Sequence, residues 1–439
     1  MLQHKIWDPQ WECADRETIR RTQLARLQET VAYAYDRVPY YKAKFDAAGV
    51  LPADIRCLED IRLLPFTTKQ DFRDTYPFGL FAVPPAELIR IHSSSGTTGK
   101  PTVVGYTKHD LDTWVEILAR MVSQAGVTDR DIAQISFGYG MFTGGFGLHY
   151  GLERVGATVV PVSSGNTDRQ LMFMVDFQST VLISTPSYAA YLAEQVKDRG
   201  LKLGEDIVLK WGLFGAEPWT EGMRQRIQTS LGLSATDNYG MSELCGPGVS
   251  GECEIAKSGM HIAEDLFIWE VLDPITREPV PEGETGELVV TPLWKEALPV
   301  IRYRTRDLTS VTLEPCRCGR TTARMSRVKG RTDDMLIIRG VNVFPTQVEH
   351  VLMETEGTSP HYLLVVTREG SLDTLEVWVE VSEKMFSERI GKMHELQALL
   401  SKKIHTILGL SAKIKLVEPQ TLERSQGKAK RVLDKRNLE

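Results

Sequence analysis

Ser93-Ser94-Ser95-Gly96-Thr97-Thr98-Gly99-Lys100-Pro101 is the stretch on which the reading of the chain turns. The apolar run Leu88-Ile89-Arg90-Ile91 before it reads as a strand, and Thr102-Val103-Val104-Gly105-Tyr106 after it reads as a second. Five hydroxyls and two glycines between two strands make a poor core and a good anion cradle. Glycine lets backbone N–H groups approach an oxyanion, hydroxyls donate to it, and Lys100 adds positive charge. An ordinary hairpin loop draws on the same residue types. The density of the run and its terminal lysine favour phosphate. The Walker pattern does not fit, because only two residues separate the glycines and Pro101 follows the lysine. The loop therefore points to a nucleotide site outside the P-loop NTPases.

The rest of the chain sets the outer bounds. Its 439 residues imply two or three domains, and 42% hydrophobic with 25% charged residues is a globular composition. A net charge of −6 gives no reason to expect nucleic acid. No run reaches the ~18 apolar residues of a membrane span, and the charged N-terminus lacks a signal-peptide core. Six cysteines in so long a chain are not a disulfide framework, so a cytoplasmic address is expected.

In chain order, 15–48 reads as helix with Leu24, Leu27, Val31 and Tyr35 on one face, ending at Pro39. Residues 50–80 are proline-punctuated and irregular. Helices are expected at 108–125, 167–178 and 187–199, and strands at 132–137, 158–162, 181–184 and 209–214. That βα alternation predicts an α/β sheet with helices on its faces. Beyond about 260 the texture is β-rich. After Arg331 a strand at 335–338, a helix from about Thr346, strands at 362–367 and 375–381, a helix at 391–408 and a strand at 413–417 suggest a small α+β domain. The final basic run, Arg424 to Arg431, reads by itself as an exposed, solvated tail or anion patch.

Three loops could meet beyond strand ends, where open α/β sheets bind ligands. Phe137-Gly138-Tyr139-Gly140-Met141-Phe142-Thr143-Gly144-Gly145-Phe146-Gly147 either brings backbone and aromatics to a ligand or packs a helix on a strand through glycine. Phe214-Gly215-Ala216-Glu217-Pro218 follows another strand, and Asn238-Tyr239-Gly240-Met241-Ser242-Glu243 reads as a further loop.

These stretches together resemble the adenylate-forming acyl-CoA synthetases. Ser93 to Pro101 is similar to their phosphate loop, Tyr239 to Glu243 to their adenine and magnesium motif, and Tyr303-Arg304-Thr305-Arg306-Asp307 to the motif ending in a ribose-binding aspartate. Gly330-Arg331-Thr332-Asp333-Asp334 resembles their hinge, and Gly427-Lys428 their C-terminal catalytic lysine. Within the superfamily the chain looks like the phenylacetate–CoA ligase family, on Phe142-Thr143-Gly144-Gly145, Ala216-Glu217-Pro218-Trp219-Thr220, Cys245-Gly246-Pro247-Gly248 and Ile338-Arg339-Gly340-Val341-Asn342-Val343-Phe344-Pro345.

The resemblance implies roles. Ser94, Ser95, Gly96, Thr97, Thr98, Gly99 and Lys100 would hold phosphates, with Thr98 also catalytic. Ala216, Glu217, Pro218, Asn238, Tyr239, Gly240, Met241, Ser242, Asp307 and Arg331 would bind the remainder of ATP or AMP, Tyr239 stacking on adenine and Asp307 accepting from the ribose. Glu243 would hold Mg²⁺, since a hard cation prefers carboxylate oxygen, and Lys428 would stabilise charge between carboxylate and α-phosphate. Tyr139, Phe142, Gly144, Gly145 and Ala216 would form the acid pocket. It implies an N-terminal ATP- and acid-binding domain over 1–331, its β-rich part about 260–331, and a C-terminal domain over 332–439 that swings about Asp333, with Gly340 lining the CoA tunnel.

Cys316-Arg317-Cys318-Gly319 with Cys253 and His261 upstream offers a Cys₃His zinc set, although the Cys-x-Cys spacing is tighter than usual. Cys245 is an alternative ligand, and four unconnected reduced side chains are the plainer reading. The expectation is a structural zinc apart from catalysis. The function implied is ATP-dependent activation of an aryl acid, phenylacetate first, to an acyl-adenylate and transfer to CoA. Another aryl acid (indoleacetate or a benzoate type) and an amine or carrier-thiol acceptor stay open. A homodimer is the expected assembly.

Overall fold

The computed structural model describes residues 6–94, 100–332, 336–339, 341–369, 372–386, 390–424 and 429–436. Asp15 opens the first long helix, Arg16–Arg37, by accepting from Thr18 N–H at 2.8 Å, and Ile19, Leu27, Val31 and Ala34 form its buried face. Pro39 ends that helix as expected, but it also begins a second, Pro39–Ala48. At the first helical position a missing N–H costs nothing, so one proline serves both ends.

Strands β1 (Arg90–Ser93) and β2 (Val103–Tyr106) pair antiparallel on either side of the polar stretch. The main sheet then begins. β3 (Ile132–Ile135), β4 (Thr158–Val160), β5 (Val181–Ser184), β6 (Trp211–Gly215) and β7 (Ser234–Met241) lie parallel in the order β4-β3-β5-β6-β7. Each link between consecutive members crosses over through a helix, as parallel pairing requires. β5 is buried along its whole length, as a strand covered on both faces must be.

The sheet continues antiparallel through β8 (Gly246–Glu252) and β9 (Met260–Ile262). β10 (Phe267–Leu272), β11 (Gly286–Pro292) and β12 (Tyr303–Thr309) form a second, antiparallel sheet. β13 (Val311–Thr312) and β14 (Arg324–Met325) return to the large sheet beside β9, making nine strands, and β15 (Gly330–Arg331) closes the smaller one against β12.

Beyond β15 the apolar residues gather into a core of their own, with Leu336, Val348, Leu364, Val377, Leu400 and Ile414 among its members. β16 (Leu336–Ile338) and β17 (Val341–Val343) make a hairpin. β18 (Thr358–Glu369), β19 (Leu372–Val381), β20 (Lys413–Val417) and β21 (Val432–Asp434) make a four-stranded sheet carrying the helices Pro345–Met353 and Ile390–Leu408. Met353 also packs against the core of the Pro186–Asp198 and Glu221–Leu231 helices, so the two bodies touch.

Two expectations need correction, and one that was left open is narrowed. Residues 238–241 are strand, not loop: Asn238 pairs with Gly215 on one side and Gly251 on the other. The glycines after Phe142 lie in a helix, Thr143–Val155, where a Cβ on Gly147 would stand 2.5 Å from Trp114 and one on Gly151 2.4 Å from Leu118. At those two positions glycine serves close packing of this helix on the helix Lys108–Gln124. Finally, the basic tail is not solvated throughout. Arg424 forks onto the fully buried Glu380 at 2.8 and 2.7 Å, and Arg431 lies over the Tyr362 ring.

Candidate active site

The exits of β1, β6 and β7 bring distant residues together. Ser94 exchanges hydrogen bonds with Thr102 across the polar stretch: its N–H donates to Thr102 O, and its Oγ accepts from Thr102 N, both at 3.0 Å. Thr102 is fully buried, and its Oγ1 donates to Glu243 Oε1 at 3.2 Å. The buried Tyr303 hydroxyl faces the same carboxylate, and burial pushes that phenol well above its ordinary range. Glu243 is thereby held between Thr102, at the exit of the polar stretch, and Tyr303 of β12. Ser95, Gly96, Thr97, Thr98 and Gly99 lie outside the described residues, as do Asp333, Gly340 and Lys428. Lys100 is exposed, with its Nζ 5.1 Å above the Tyr76 ring.

A second group forms around Asp307 on β12. Tyr239 OH donates to its Oδ2 at 2.6 Å and Arg331 Nη1 to its Oδ1 at 2.8 Å. Burial first, and then the Asp307 charge, hold the Tyr239 phenol far above its ordinary pKa, so it stays a donor. Charge-assisted bonds of this kind contribute about 1.5–3 kcal/mol each. Ser242 Oγ meets Thr143 Oγ1 at 3.2 Å, which joins this motif to the Phe142 stretch. Met241 O accepts from Leu244 and Cys245 N–H groups, closing the turn that presents Glu243.

At the end of β6 the backbone is held tightly. A Cβ on Gly215 would stand 2.4 Å from Asn238 O, and Asn238 Nδ2 donates to Phe214 O at 2.6 Å. A Cβ on Gly240 would collide with Gly246 O at 1.7 Å. Ala216 then adopts φ +70°, a left-handed conformation that costs a residue with a Cβ and is typical of ligand sites. Ala216 and Pro218 are exposed there, while the half-buried Glu217 turns its carboxylate to Ser187 and Ala429.

The aromatic stretch builds a wall. Tyr139 packs edge-on against Phe146 and His149, with ring centroids at 5.3 and 5.8 Å, and its OH lies 3.1 Å from His149 Nδ1. Phe142 is 49% exposed at the mouth, and Gly144 and Gly145 occupy the first turn of the helix behind it. Two residues missed by sequence reading join here from β1. Arg90 lies over Phe146 and Tyr150, at 5.1 and 4.8 Å, and donates to Tyr150 OH. His92 is buried between Tyr106 and Phe146, its Nδ1 3.2 Å from Met141 O. Burial pushes its pKa down to about 4, leaving a neutral ring. The available signal was alternation, which puts residues 90 and 92 of one strand on the same face.

Cys253, His261, Cys316 and Cys318 converge, with one donor atom from each lying within 4.8 Å of all the others. Cys253 and Cys316 sulfurs are 3.8 Å apart, and Cys318 Sγ is 3.4 Å from His261 Nε2. His261 Nδ1 is held by Thr322 Oγ1 at 3.0 Å. Cys245 is elsewhere, its thiol directed at the Gly246 and Pro247 carbonyls. The cluster lies beyond the far end of β8 from Gly246, roughly 20 Å along a seven-residue strand.

Residues 41–292 match the AMP-binding enzyme family and residues 340–436 the AMP-binding enzyme C-terminal domain. A phenylacetate-coenzyme A ligase of Thermus thermophilus is 51% identical over 98% of this chain and 100% of its own length. A phenylacetate-coenzyme A ligase of Escherichia coli is 48% identical over 97% of each. The chain belongs to the phenylacetate–CoA ligase family of adenylate-forming enzymes. Among solved structures, a 2-hydroxyisobutyryl-CoA ligase in the post-adenylation state with 2-HIB-AMP superposes with a TM-score of 0.92 at 30% identity, covering 97% of this chain and 91% of that one. The same ligase with CoA in the thioesterification state gives 0.72 at 31% identity, covering 98% and 92%. The arrangement of the two bodies here is thus nearer the first of those states.

Proposed function

We propose that the chain converts an aryl acid, phenylacetate foremost, to its acyl-adenylate with release of pyrophosphate, and then passes the acyl group to CoA with release of AMP. The single observation behind this is the meeting of Glu243 with Thr102 at the exit of the hydroxyl-rich loop, beside an Asp307 already held by Tyr239 and Arg331. Nothing in an ordinary polar loop asks for a buried carboxylate at its root. Membership of the family supports the same reading.

A carboxylate is a poor electrophile, and attack on the α-phosphorus of ATP converts it into one with a good leaving group. The protein's share is positioning and electrostatic stabilisation. The loop Ser94–Lys100, with Thr98 as its catalytic member, holds the phosphates. Asp307, oriented by Tyr239 and Arg331, accepts from the ribose hydroxyls. The backbone of Ala216 and Pro218 and the Asn238–Ser242 segment flank the base. Lys428 stabilises the charge shared by the acid and the α-phosphate. Mg²⁺ held by Glu243 would neutralise phosphate charge, and a carboxyl group faced by two hydroxyls offers the oxygen ligand that a hard cation takes. Tyr139, Phe142, Gly144, Gly145 and Ala216 receive the acid. The aromatic wall and the neutral His92 suit an uncharged ring. The small body then turns about Asp333, presenting the Gly340 segment to CoA.

A structural zinc completes the reading. Tetrahedral Zn²⁺ with Zn–S near 2.3 Å sets its sulfurs roughly 3.8 Å apart, and the Cys253–Cys316 separation of 3.8 Å fits. Thr322 orients the histidine as an outer-shell partner does. Six cysteines without a disulfide suit a reducing cytoplasm, and a homodimer is the commonest assembly.

The test is pyrophosphate release from ATP and Mg²⁺ across phenylacetate, indoleacetate, benzoate and alkyl acids, with and without CoA. Turnover with phenylacetate that needs CoA to continue supports the ligase. One burst per enzyme, unaffected by CoA, moves the acceptor to an amine or carrier thiol. Silence with every acid overturns the substrate.

A further inference from the structure

Glu217 is bound at both of its oxygens, and the two partners belong to different bodies. Oε1 accepts from Ser187 N–H at 2.7 Å, in the first turn of the helix Pro186–Asp198, where the N-terminal N–H groups favour an anion. Oε2 accepts from Ala429 N–H at 2.8 Å, 212 residues further along. Ala429 follows Lys428 directly in the chain, so this bond restrains the peptide that carries the lysine.

Neighbouring contacts brace the same junction. Arg431 Nη2 donates to Ser187 Oγ at 3.2 Å and stands 3.8 Å from Glu349 Oε2. Glu349 in turn accepts from Thr220 N–H at 3.1 Å. Among these contacts only Glu217 reaches the residue beside Lys428. Both of its oxygens face protein partners in this arrangement, while Ala216 and Pro218 beside it are exposed.

We propose that Glu217 is a positioning residue that latches Ala429, the residue after Lys428, in place for adenylation and must let go of it before CoA transfer. This rests on the reading of Lys428 as the adenylation lysine. The bond to Ser187 stays within the large body and survives a swing of the small one; the bond to Ala429 does not. The latch therefore favours one half-reaction. The nearer fit to the post-adenylation structure than to the thioesterification structure agrees with that state dependence.

The experiment separates the half-reactions in full-length Glu217→Ala, Glu217→Gln and Lys428→Ala. The first readout is the rate of pyrophosphate release at saturating phenylacetate, with the KM for ATP. The second is single-turnover thioester formation from preformed phenylacetyl-adenylate and CoA. Glu217→Ala is expected to lose roughly tenfold to a hundredfold in adenylation kcat, as for loss of a charge-assisted hydrogen bond, with the KM for ATP held within about twofold. Thioester formation is expected to keep its rate. Glu217→Gln retains one acceptor oxygen and recovers part of the loss; should Glu217→Ala fail to fold, the glutamine variant carries the test, with a smaller loss confined to the first half-reaction.

A raised KM for ATP at unchanged kcat returns Glu217 to nucleotide binding and overturns the latch. Equal losses in both half-reactions make it merely structural, and no loss removes it altogether. If Lys428→Ala keeps full adenylation, the underlying reading of the lysine fails instead, a different outcome from Glu217→Ala keeping activity while Lys428→Ala loses it.

Discussion

Thr102 donates its hydroxyl to Glu243 over 3.2 Å, although 141 positions separate them in the chain. The threonine closes the polar stretch that begins at Ser93, and the glutamate ends the strand-and-turn segment from β7. Thr102→Val keeps the shape and deletes the donor, leaving a buried carboxylate oxygen short of one partner. Stability should fall by about 1–2 kcal/mol. The Mg²⁺ concentration needed for half-maximal pyrophosphate release should rise several-fold, and a Mg²⁺ titration of the two proteins reads this directly. An unshifted titration would detach Thr102 from the metal-holding role proposed for Glu243.

Tyr239→Phe removes the 2.6 Å bond to Asp307 and leaves Arg331 as a remaining partner of that carboxylate. The expected result is a KM for ATP raised about tenfold, from a bond of ~1.5 kcal/mol, with the KM for the acid unchanged. Because the phenol lies far above its ordinary pKa, Tyr239 itself adds no pH dependence near neutrality. Initial rates at varied ATP and varied acid separate the two constants.

His92 makes stability depend on pH. Its pKa falls from an ordinary 6.5 to about 4 on folding, so between those values the unfolded chain binds a proton that the folded chain does not. Stability therefore rises as pH rises from 4 to 6.5, and is lost as pH falls through that window. The contribution is of order 3 kcal/mol once pH drops below the folded value. Urea unfolding between pH 4 and pH 7 should show a flatter profile for His92→Gln than for the parent chain. Identical slopes would remove His92 as the source.

The sulfur cluster predicts a metal stoichiometry. The purified chain should carry one zinc, and Cys318→Ser should lose it and lower Tm by several degrees, while the KM for ATP stays put. Elemental analysis with thermal melts measures both quantities. A metal-free parent chain of unchanged Tm would leave the four donors as packed, reduced side chains.

Of the βα alternation from Ile132 to Gly215, the strands and the helices after β4 and β5 were legible, with limits within a few residues, because parallel strands are short apolar runs bounded by helices. The glycine-rich helix Thr143–Val155 was not among the expected helices. β7, Ser234–Met241, was not read as a strand at all. Asn238 and Gly240 are turn-type residues, and only pairing with β6 and β8 makes them strand. The basic tail misled for a similar reason: the partners of Arg424 and Arg431, Glu380 and Glu349, are distant in sequence, so charge alone read as solvation. The Cys253, His261, Cys316 and Cys318 cluster was legible from residue type, and Cys245 was separated from it only by the fold. Thr102, Arg90 and His92 gave no motif of their own. Alternation puts Arg90 and His92 on one face, but what they meet there, and the Glu243 that Thr102 meets, lie far along the chain.

β8 is buried at each of its seven residues. One end starts at Gly246, where a Cβ would press into Thr143 and Trp114, and the other runs into Cys253 of the sulfur cluster. The strand behaves as a beam clamped at two supports about 20 Å apart. A loosened distant support alters the pitch of the near one, so damage to the cluster would surface as a blurred acid preference with every residue around the acid intact.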